Sequence, residues 1–425
     1  MQIQELYSIF LQHPSIETDT RKLKKGDLFF ALKGPTFNGN NFAEQALRSG
    51  AAYAIIDEEI AYKDERIIQT TDVLNTLQEL AKYHRQQFNI PFIAITGSNG
   101  KTTTKELVHE VLSTTYKTYT TKGNLNNHIG IPLTILAVQK DAEIAVIEMG
   151  ANHQKEIEGY CVYCMPTHGI ITNIGKAHLE GFGGEEGVKK GKGELFDYLR
   201  AHDGTVFIMN DYDHLKEISK GIHEVISYGT SNADIVGTIN KSAEFLAVAI
   251  KNGPAIKTNL VGEYNLPNVL VAVAVGRYFK VADEKIKMAL ESYVPSNSRS
   301  QLIEKGSNKI ILDAYNANPT SMKAAIENFA KMNGTKKVLL LGGMAELGNE
   351  SLKEHEGIIA LINKFKWDAV VLVGGDYNKI ANNFTYLNNS SEAKDWLQQQ
   401  KFTDTMLLVK GSRSMQMEKV LEENG

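Results

Sequence analysis

The sequence predicts an α/β protein of three domains: a central phosphate-loop ATPase domain on a parallel sheet, flanked by a small N-terminal α/β domain and a Rossmann-like C-terminal α/β domain. Three observations carry that prediction. A chain of 425 residues is too long for one hydrophobic core. Strand-like and helix-like stretches alternate along it, as in a sheet with crossover helices. Residues 92–104, FIAITGSNGKTTT, run from a β-branched stretch into a glycine loop ending in Lys-Thr, and then directly into helix-forming residues. The domains are expected at 1–89, 90–294 and 295–425.

In the first domain, residues 26–32 (GDLFFAL) read as a strand entered through a turn and ended by Gly34-Pro35. Asn41 is expected to cap a helix over 42–49 that stops at Gly50, and residues 52–56 read as the next strand. Residues 73–88 place Leu74, Leu77, Leu80 and Ala81 at helical spacing and lead to Pro91. The polar loop Thr18-Asp19-Thr20-Arg21 carries no signal of its own.

The central domain opens with the strand 92–95 and the loop Gly97-Ser98-Asn99-Gly100-Lys101-Thr102-Thr103. Glycines let backbone N–H groups turn inward around a phosphate, and the helix expected from Lys105 to Leu112 adds the partial charge of its N-terminus. Lys101 can reach the outer phosphates and the Thr102 hydroxyl can hold Mg²⁺. The usual pattern has a glycine where Ile95 stands, so this is a shortened loop beginning at Gly97. An amide-rich loop follows at 121–132 (TKGNLNNHIGIP). Residues 142–149 then read as a buried strand ending in the carboxylate Glu148, where open α/β sheets place metal-coordinating groups. Beyond the strand 168–174 come GKAHLE and a lysine cluster, Lys189, Lys190 and Lys192. Residues 204–230 read as strand, helix and strand, 233–261 as short antiparallel strands, and 262–279 as an asparagine-rich turn into an apolar helix.

In the third domain the order is strand KIILDAY, a helix over 321–332, strand KKVLLLGG, a helix over 353–365, strand DAVVLVGG, then MLLVKGS and a final helix. The pairs Gly342-Gly343 and Gly374-Gly375 do not extend to G-x-G-x-x-G, so they read as sheet-to-helix turns.

A net charge of −4 with 23% charged residues lacks the basic excess of a nucleic-acid binder. No apolar run is long enough for a membrane span, and the N-terminus has no export signal, so a cytoplasmic protein is expected. The two cysteines, Cys161 and Cys164, are spaced CxxC without a second pair, and read as small buried thiols.

The motifs TGSNGKTTTKE, GNLNNHIGIP, IEMGANHQ, AHLEGFG, KGELF, DAYNANP, GGMAELG and VKGSRSMQME together resemble the bacterial Mur ligases, over nearly the whole chain and in order. Among them the resemblance is to the branch that joins D-alanyl-D-alanine to a UDP-N-acetylmuramoyl-tripeptide. It implies that ATP phosphorylates the tripeptide carboxylate and that the dipeptide amine attacks the acyl phosphate, giving the pentapeptide, ADP and phosphate. It implies a monomer in which the N-terminal domain holds the uridine nucleotide, the central domain holds ATP and the C-terminal domain closes over both. Lys101, His178, Lys192 and Asn318 are the implied catalytic residues. Asn268, Arg299 and Asp313 would join the loop residues in binding ATP, and Thr20, Arg21, Asn126, Asn127 and Asn316 would bind substrate. Thr102, Glu148, His178 and Lys192 are the implied Mg²⁺ ligands, for two ions.

A lysine can serve there only after carbamylation, in which CO₂ adds to the neutral amine. At an ordinary pKa of about 10.4, about one lysine in 2,500 is neutral at pH 7. Lys189 and Lys190 are expected to depress the Lys192 pKa. The family's GRLE-like element reads Ser298-Arg299-Ser300-Gln301 here, a departure that keeps the arginine. Two other readings stay open: a Mur-type ligase that adds the third peptide residue, or a folate-type one, and a non-catalytic nucleotide-binding scaffold. Against the first stands Asn318-Pro319-Thr320, in place of the Asp-Asn-Pro-Arg expected for a diaminopimelate side chain.

Overall fold

Apolar β-branched runs buried on both faces favour parallel strands, and the larger sheets are built largely from them. The structure, a computed structural model, describes residues 2–240, 245–296, 298–334 and 336–422. A four-stranded parallel sheet orders Ile16–Glu17, Leu28–Phe30, Tyr53–Ile56 and Ile67–Gln69. A nine-stranded sheet places the strand Phe92–Thr96 between His168–Ile171 on one side and Ile144–Glu148 on the other. The chain thus goes to one side of Phe92–Thr96 first and later to the other. That reversal opens a crevice at the carboxyl ends of the strands, where α/β folds bind ligands. The six-stranded sheet of the third domain is parallel except for the hairpin Gln301–Lys305 with Asn308–Asp313.

The helix expected from Lys105 begins at Lys101, because Gly100, at φ 80°, is its N-cap. Asn41 does not cap the helix Ala43–Arg48; Asn38 caps a 3-10 turn, Gly39–Phe42, in front of it. The short strands 16–17, 67–69, 301–305 and 385–387 carry too few residues for periodicity to show them. The expected last helix is instead two 3-10 turns, Arg413–Met415 and Met417–Leu421, with 423–425 outside the described residues. Between the expected antiparallel strands near 233–261, residues 241–244 also lie outside them. Among the described residues, no helix is long and apolar enough to cross a membrane.

One core runs through the first two domains, since Leu6, Phe10, Leu77 and Leu80 pack with Ile135, Ile157 and Cys161. At the junction Arg85 is buried with its guanidinium 3.9 Å from the centre of the Phe92 ring. It donates to the carbonyls of Cys164 at 3.0 Å, Met165 at 3.0 Å and Phe88 at 2.9 Å, closing the end of the helix Glu156–Cys164. Both cysteines lie in that helix, free and buried; burial pushes the Cys164 thiol up to about 12. A second core joins Leu179, Phe182 and Val188 of the central domain to Met322, Met344 and Leu347 of the third.

The two glycine pairs pack against each other. A Cβ on Gly343 would lie 2.5 Å from the Gly375 Cα, a backbone atom with nowhere to move. Gly343→Ala is therefore expected to lower stability by roughly 1–3 kcal/mol. Gly357→Ala, on an exposed helix face with open space around it, is expected to raise it by up to about 1 kcal/mol. Urea midpoints of the two variants check the contrast.

Candidate active site

The crevice opens into a cavity of about 890 Å³ shared by the central and C-terminal domains. Its floor is the phosphate loop. Gly97, at φ 139°, lies so close to the next strand that a Cβ would meet Thr172 Oγ1 at 2.0 Å. Gly100 is fitted in the same way against Asn268 Oδ1, at 2.7 Å. Asn99 is gripped from its neighbour: Asn173 Oδ1 accepts from its N–H at 3.0 Å, while Asn173 Nδ2 and Thr172 Oγ1 donate to its carbonyl at 3.0 and 2.6 Å. Ser98 Oγ donates to Gly175 O at 3.0 Å. The loop is held in shape by the protein alone.

Lys101 turns back over the loop, its Nζ donating to Gly97 O at 2.7 Å. Burial pushes its pKa down, and Glu148 pulls the other way. Thr102 Oγ1 donates to Glu148 Oε2 at 2.9 Å, and Asn126 Nδ2 donates to Oε1 at 2.7 Å. Glu148 is 1% exposed, so these hard oxygens face each other in a dry corner beside the phosphate loop. A hydroxyl and a carboxylate with open space for phosphate oxygens and water suit Mg²⁺, which takes few protein ligands. Thr102 and Glu148 therefore fit the implied ion.

For a second ion the fit is partial. Among the described residues no three His, Cys, Asp or Glu side chains gather as a metal cluster. His178 lines the cavity, and its Nδ1 lies 2.5 Å from Glu346 Oε2 of the C-terminal domain. Lys192 is fully buried; its Nζ donates to Ala151 O at 2.8 Å and sits 4.8 Å from the centre of the Phe182 ring. Its pKa falls well below the usual range, first through burial and then through Lys101. Lys189 and Lys190, expected to be the cause, are not: Lys190 is exposed, and Lys189 reaches out to Glu217 at 2.6 Å. Helix geometry turns both toward solvent, where water screens them.

Asn268 accepts from Thr104 Oγ1 at 3.0 Å and donates to Asn265 Oδ1 at 2.9 Å, so both ends of its amide are engaged at the cavity wall. Opposite, the Arg299 guanidinium stacks 3.6 Å from the Tyr315 ring centre. Asp313, ending its strand, accepts from Lys410 Nζ at 2.6 Å and from Ser300 N at 3.1 Å. Asn318 caps the helix Pro319–Lys331 and also donates to Asn99 Oδ1 at 2.8 Å, bridging the C-terminal domain to the phosphate loop. Asn127 accepts from Ile129 N and Gly130 N at 3.2 and 2.9 Å, and Asn316 from Ala317 N at 2.9 Å. Both serve local turns and also line the cavity. Thr20 and Arg21 do not line it; Arg21 is exposed and bound to its own neighbour Asp19 at 2.8 Å.

Sequence reasoning did not single out Glu346, Lys410, Asn173 or Tyr264, which also line or brace the cavity. Lys410 carried a signal: a charge closing the apolar run MLLVK must be paired if buried, and it is 2% exposed.

Family models match three successive stretches: the Mur ligase family catalytic domain at 14–85, the Mur ligase middle domain at 95–276, and the Mur ligase glutamate ligase domain at 298–413. The UDP-N-acetylmuramoyl-tripeptide–D-alanyl-D-alanine ligase of Bacillus subtilis (strain 168) is 37% identical over 424 residues, 96% of this chain and 92% of that one. The chain belongs to the Mur ligase family. A crystal structure of MurF from Acinetobacter baumannii matches this Mur ligase with a TM-score of 0.87 at 32% identity, covering 96% of this chain and 92% of that one. The MurF ligase of Thermotoga maritima in complex with ADP matches with a TM-score of 0.86 at 26% identity, over 97% of each chain.

The contact at Gly97 gives a test. Gly97→Ala is expected to weaken ADP binding by calorimetry roughly tenfold or more, about 1.4 kcal/mol. Gly159→Ala, with open space around it, is expected to leave ADP affinity unchanged.

Proposed function

We propose that this Mur ligase joins D-alanyl-D-alanine to a UDP-N-acetylmuramoyl-tripeptide at the expense of ATP, in peptidoglycan precursor synthesis. The observation that carries the reading is a cavity with a phosphate loop on one side and polar C-terminal-domain residues, Asn316, Asn318 and Glu346, on the other. Two anionic substrates can meet there within reach of a third molecule. Full-length similarity to ligases of that name selects the reaction.

The tripeptide carboxylate attacks the γ-phosphorus of ATP, an O–P bond forms, and ADP leaves. The dipeptide amine, having lost a proton, attacks the acyl carbon, and phosphate leaves as the amide forms. Lys101 and the helix that starts beside it neutralise phosphate charge before transfer. Thr102 and Glu148 would hold Mg²⁺, which supplies the remaining positive charge on the β- and γ-phosphates. Asn318 ties the C-terminal domain to the loop, fixing the acceptor side over the phosphate. Asn268, Arg299 and Asp313 take the base and ribose end, and Asn126, Asn127 and Asn316 line the substrate side. Thr20 and Arg21, on the N-terminal domain, take the uridine nucleotide.

Lys192 is carbamylated in the working enzyme: CO₂ adds to the neutral amine, an N–C bond forms and one proton is released. Complete burial of the amine supports this, because burial favours the neutral form that reacts. The carbamate oxygens and His178 would hold a second Mg²⁺. The units are 1–89, 90–294 and 295–425, in a cytoplasmic monomer.

Phosphate release by the purified protein tests the reading. It is expected only with ATP, UDP-linked tripeptide and D-alanyl-D-alanine all present; release indifferent to the dipeptide would sink the assignment. Lys192→Gln is expected to lose turnover, and depleting CO₂ to slow the wild type until bicarbonate is restored.

A further inference from the structure

The turn in front of the helix Leu266–Tyr278 belongs to the central domain by sequence, yet it is built into the C-terminal domain. Val261 is buried in the core it shares with Met322, Ala325 and Phe329. The Glu263 N–H donates to Asn328 Oδ1 at 3.2 Å, and the Tyr264 hydroxyl lies 2.9 Å from Ser300 Oγ. Asn265 closes the turn, its Nδ2 donating to Val261 O at 2.9 Å. Its Oδ1 accepts from Asn268, on the cavity wall, at 2.9 Å. The Tyr264 ring lies over Gly262, at φ 98°, where a Cβ would meet it at 2.3 Å. That glycine leaves room for the ring, and the ring carries its hydroxyl to the domain boundary.

Ser300 is 9% exposed and left-handed at φ 48°, a conformation that a residue other than glycine holds only where its surroundings enforce it. Its N–H donates to Asp313 Oδ1 at 3.1 Å, within the C-terminal domain. Its side chain is held from across the boundary, by Tyr264. Beside it Arg299 stacks on Tyr315, and Ser298 O accepts from Ala314 N and Tyr315 N at 3.0 and 3.3 Å. The crossing segment is therefore tied to the strand end at Asp313 by its backbone and to the central domain by the Tyr264 hydroxyl. The second Asp313 oxygen accepts from Lys410 Nζ at 2.6 Å, and each oxygen keeps another lone pair for a ligand. Position 300 is also where this chain has serine in place of the leucine of the GRLE-like element, a side chain that could make no such bond.

We propose that Tyr264 is a positioning residue for the nucleotide: its hydroxyl holds Ser300 left-handed, and Ser300 in turn sets Asp313 to accept from the ribose hydroxyls. The inference rests on the reading of Asp313 at the ribose end of ATP. It makes the fit of the sugar depend on how the two domains are joined, because the hydroxyl comes from one and the carboxylate from the other. Asn268, Asn265 and Tyr264 on the central domain and Ser300 and Asp313 beyond the boundary then form one continuous set of contacts from base to sugar.

Calorimetry on the full-length protein compares ADP with 2′,3′-dideoxy-ADP, so that the ratio of the two affinities reads the ribose contact alone. Wild type is expected to prefer ADP by roughly tenfold or more. Tyr264→Phe, which keeps the ring, and Ser300→Ala are each expected to cut that preference to about threefold or less, by weakening ADP and not the dideoxy form. Combining the two is expected to lose no more than either alone, because both remove the same bond. Ser300→Gly is expected to restore most of the preference, since glycine holds a left-handed backbone unaided. Asn328→Ala breaks another contact of the same turn and is expected to leave the preference unchanged. A wild-type preference in Tyr264→Phe, additive losses in the double variant, an equal loss in Asn328→Ala, or a preference in Ser300→Gly as poor as in Ser300→Ala overturns the positioning role while leaving the ribose reading intact. No preference in wild type, or an undiminished one in Asp313→Ala, overturns the ribose reading and this inference with it.

Discussion

The grip of Thr172 and Asn173 on Asn99 is the interaction from which the site is built. A phosphate loop must keep an open backbone while its remaining polar groups are satisfied, or it collapses without ligand. Here the neighbouring strand end satisfies them, and it can come that close only because position 97 has no side chain. With the loop fixed, the helix starting at Lys101 points its N-terminus at one place, and Thr102 falls beside Glu148. Each later feature of the cavity is placed relative to that frame.

Charge is the second constraint. Two polyanions must be brought together, so cations and helix ends converge from both domains: Lys101 below, and Arg299 with the head of the helix Pro319–Lys331 above. Lys192 shows the opposite use of the same physics. A buried ammonium with a carbonyl and a ring for company is poorly compensated, and the molecule lowers its pKa instead of pairing it. The Lys410–Asp313 contact is the conventional solution, a buried amine given a carboxylate.

The α/β order, the phosphate loop and the strand-end Glu148 could be read from the chain because local rules govern them: hydrophobic runs, glycine positions and strand ends. What escaped reading was relational. That Lys189 faces solvent while Lys192 faces inward depends on how the helix Glu185–Ala201 docks against Phe182 through Gly187 and Gly191. Glu346 sits in a motif the sequence displays, GGMAELG, yet its meeting with His178, 168 positions earlier, comes from domain packing. Asn318 shows both sides at once. Its capping role follows from Asn-Pro at a helix start, whereas its hydrogen bond to Asn99 does not.

Arg85 has a mechanical consequence. By satisfying carbonyls on both sides of the first junction, it rivets the helix Val73–Arg85 to the end of the helix Glu156–Cys164. Swinging the first domain freely would strand a buried guanidinium and expose the core that the two domains share. The second junction is closed differently: Ser298 and Ser300 cross it on left-handed backbones, a buried apolar cluster joins Leu179, Phe182 and Val188 to Met322, Met344 and Leu347, and polar groups of both domains line the cavity beside it. The first two units are thus locked by a buried charge, whereas the third is held by apolar packing beside a polar cavity that opens directly onto the phosphate loop.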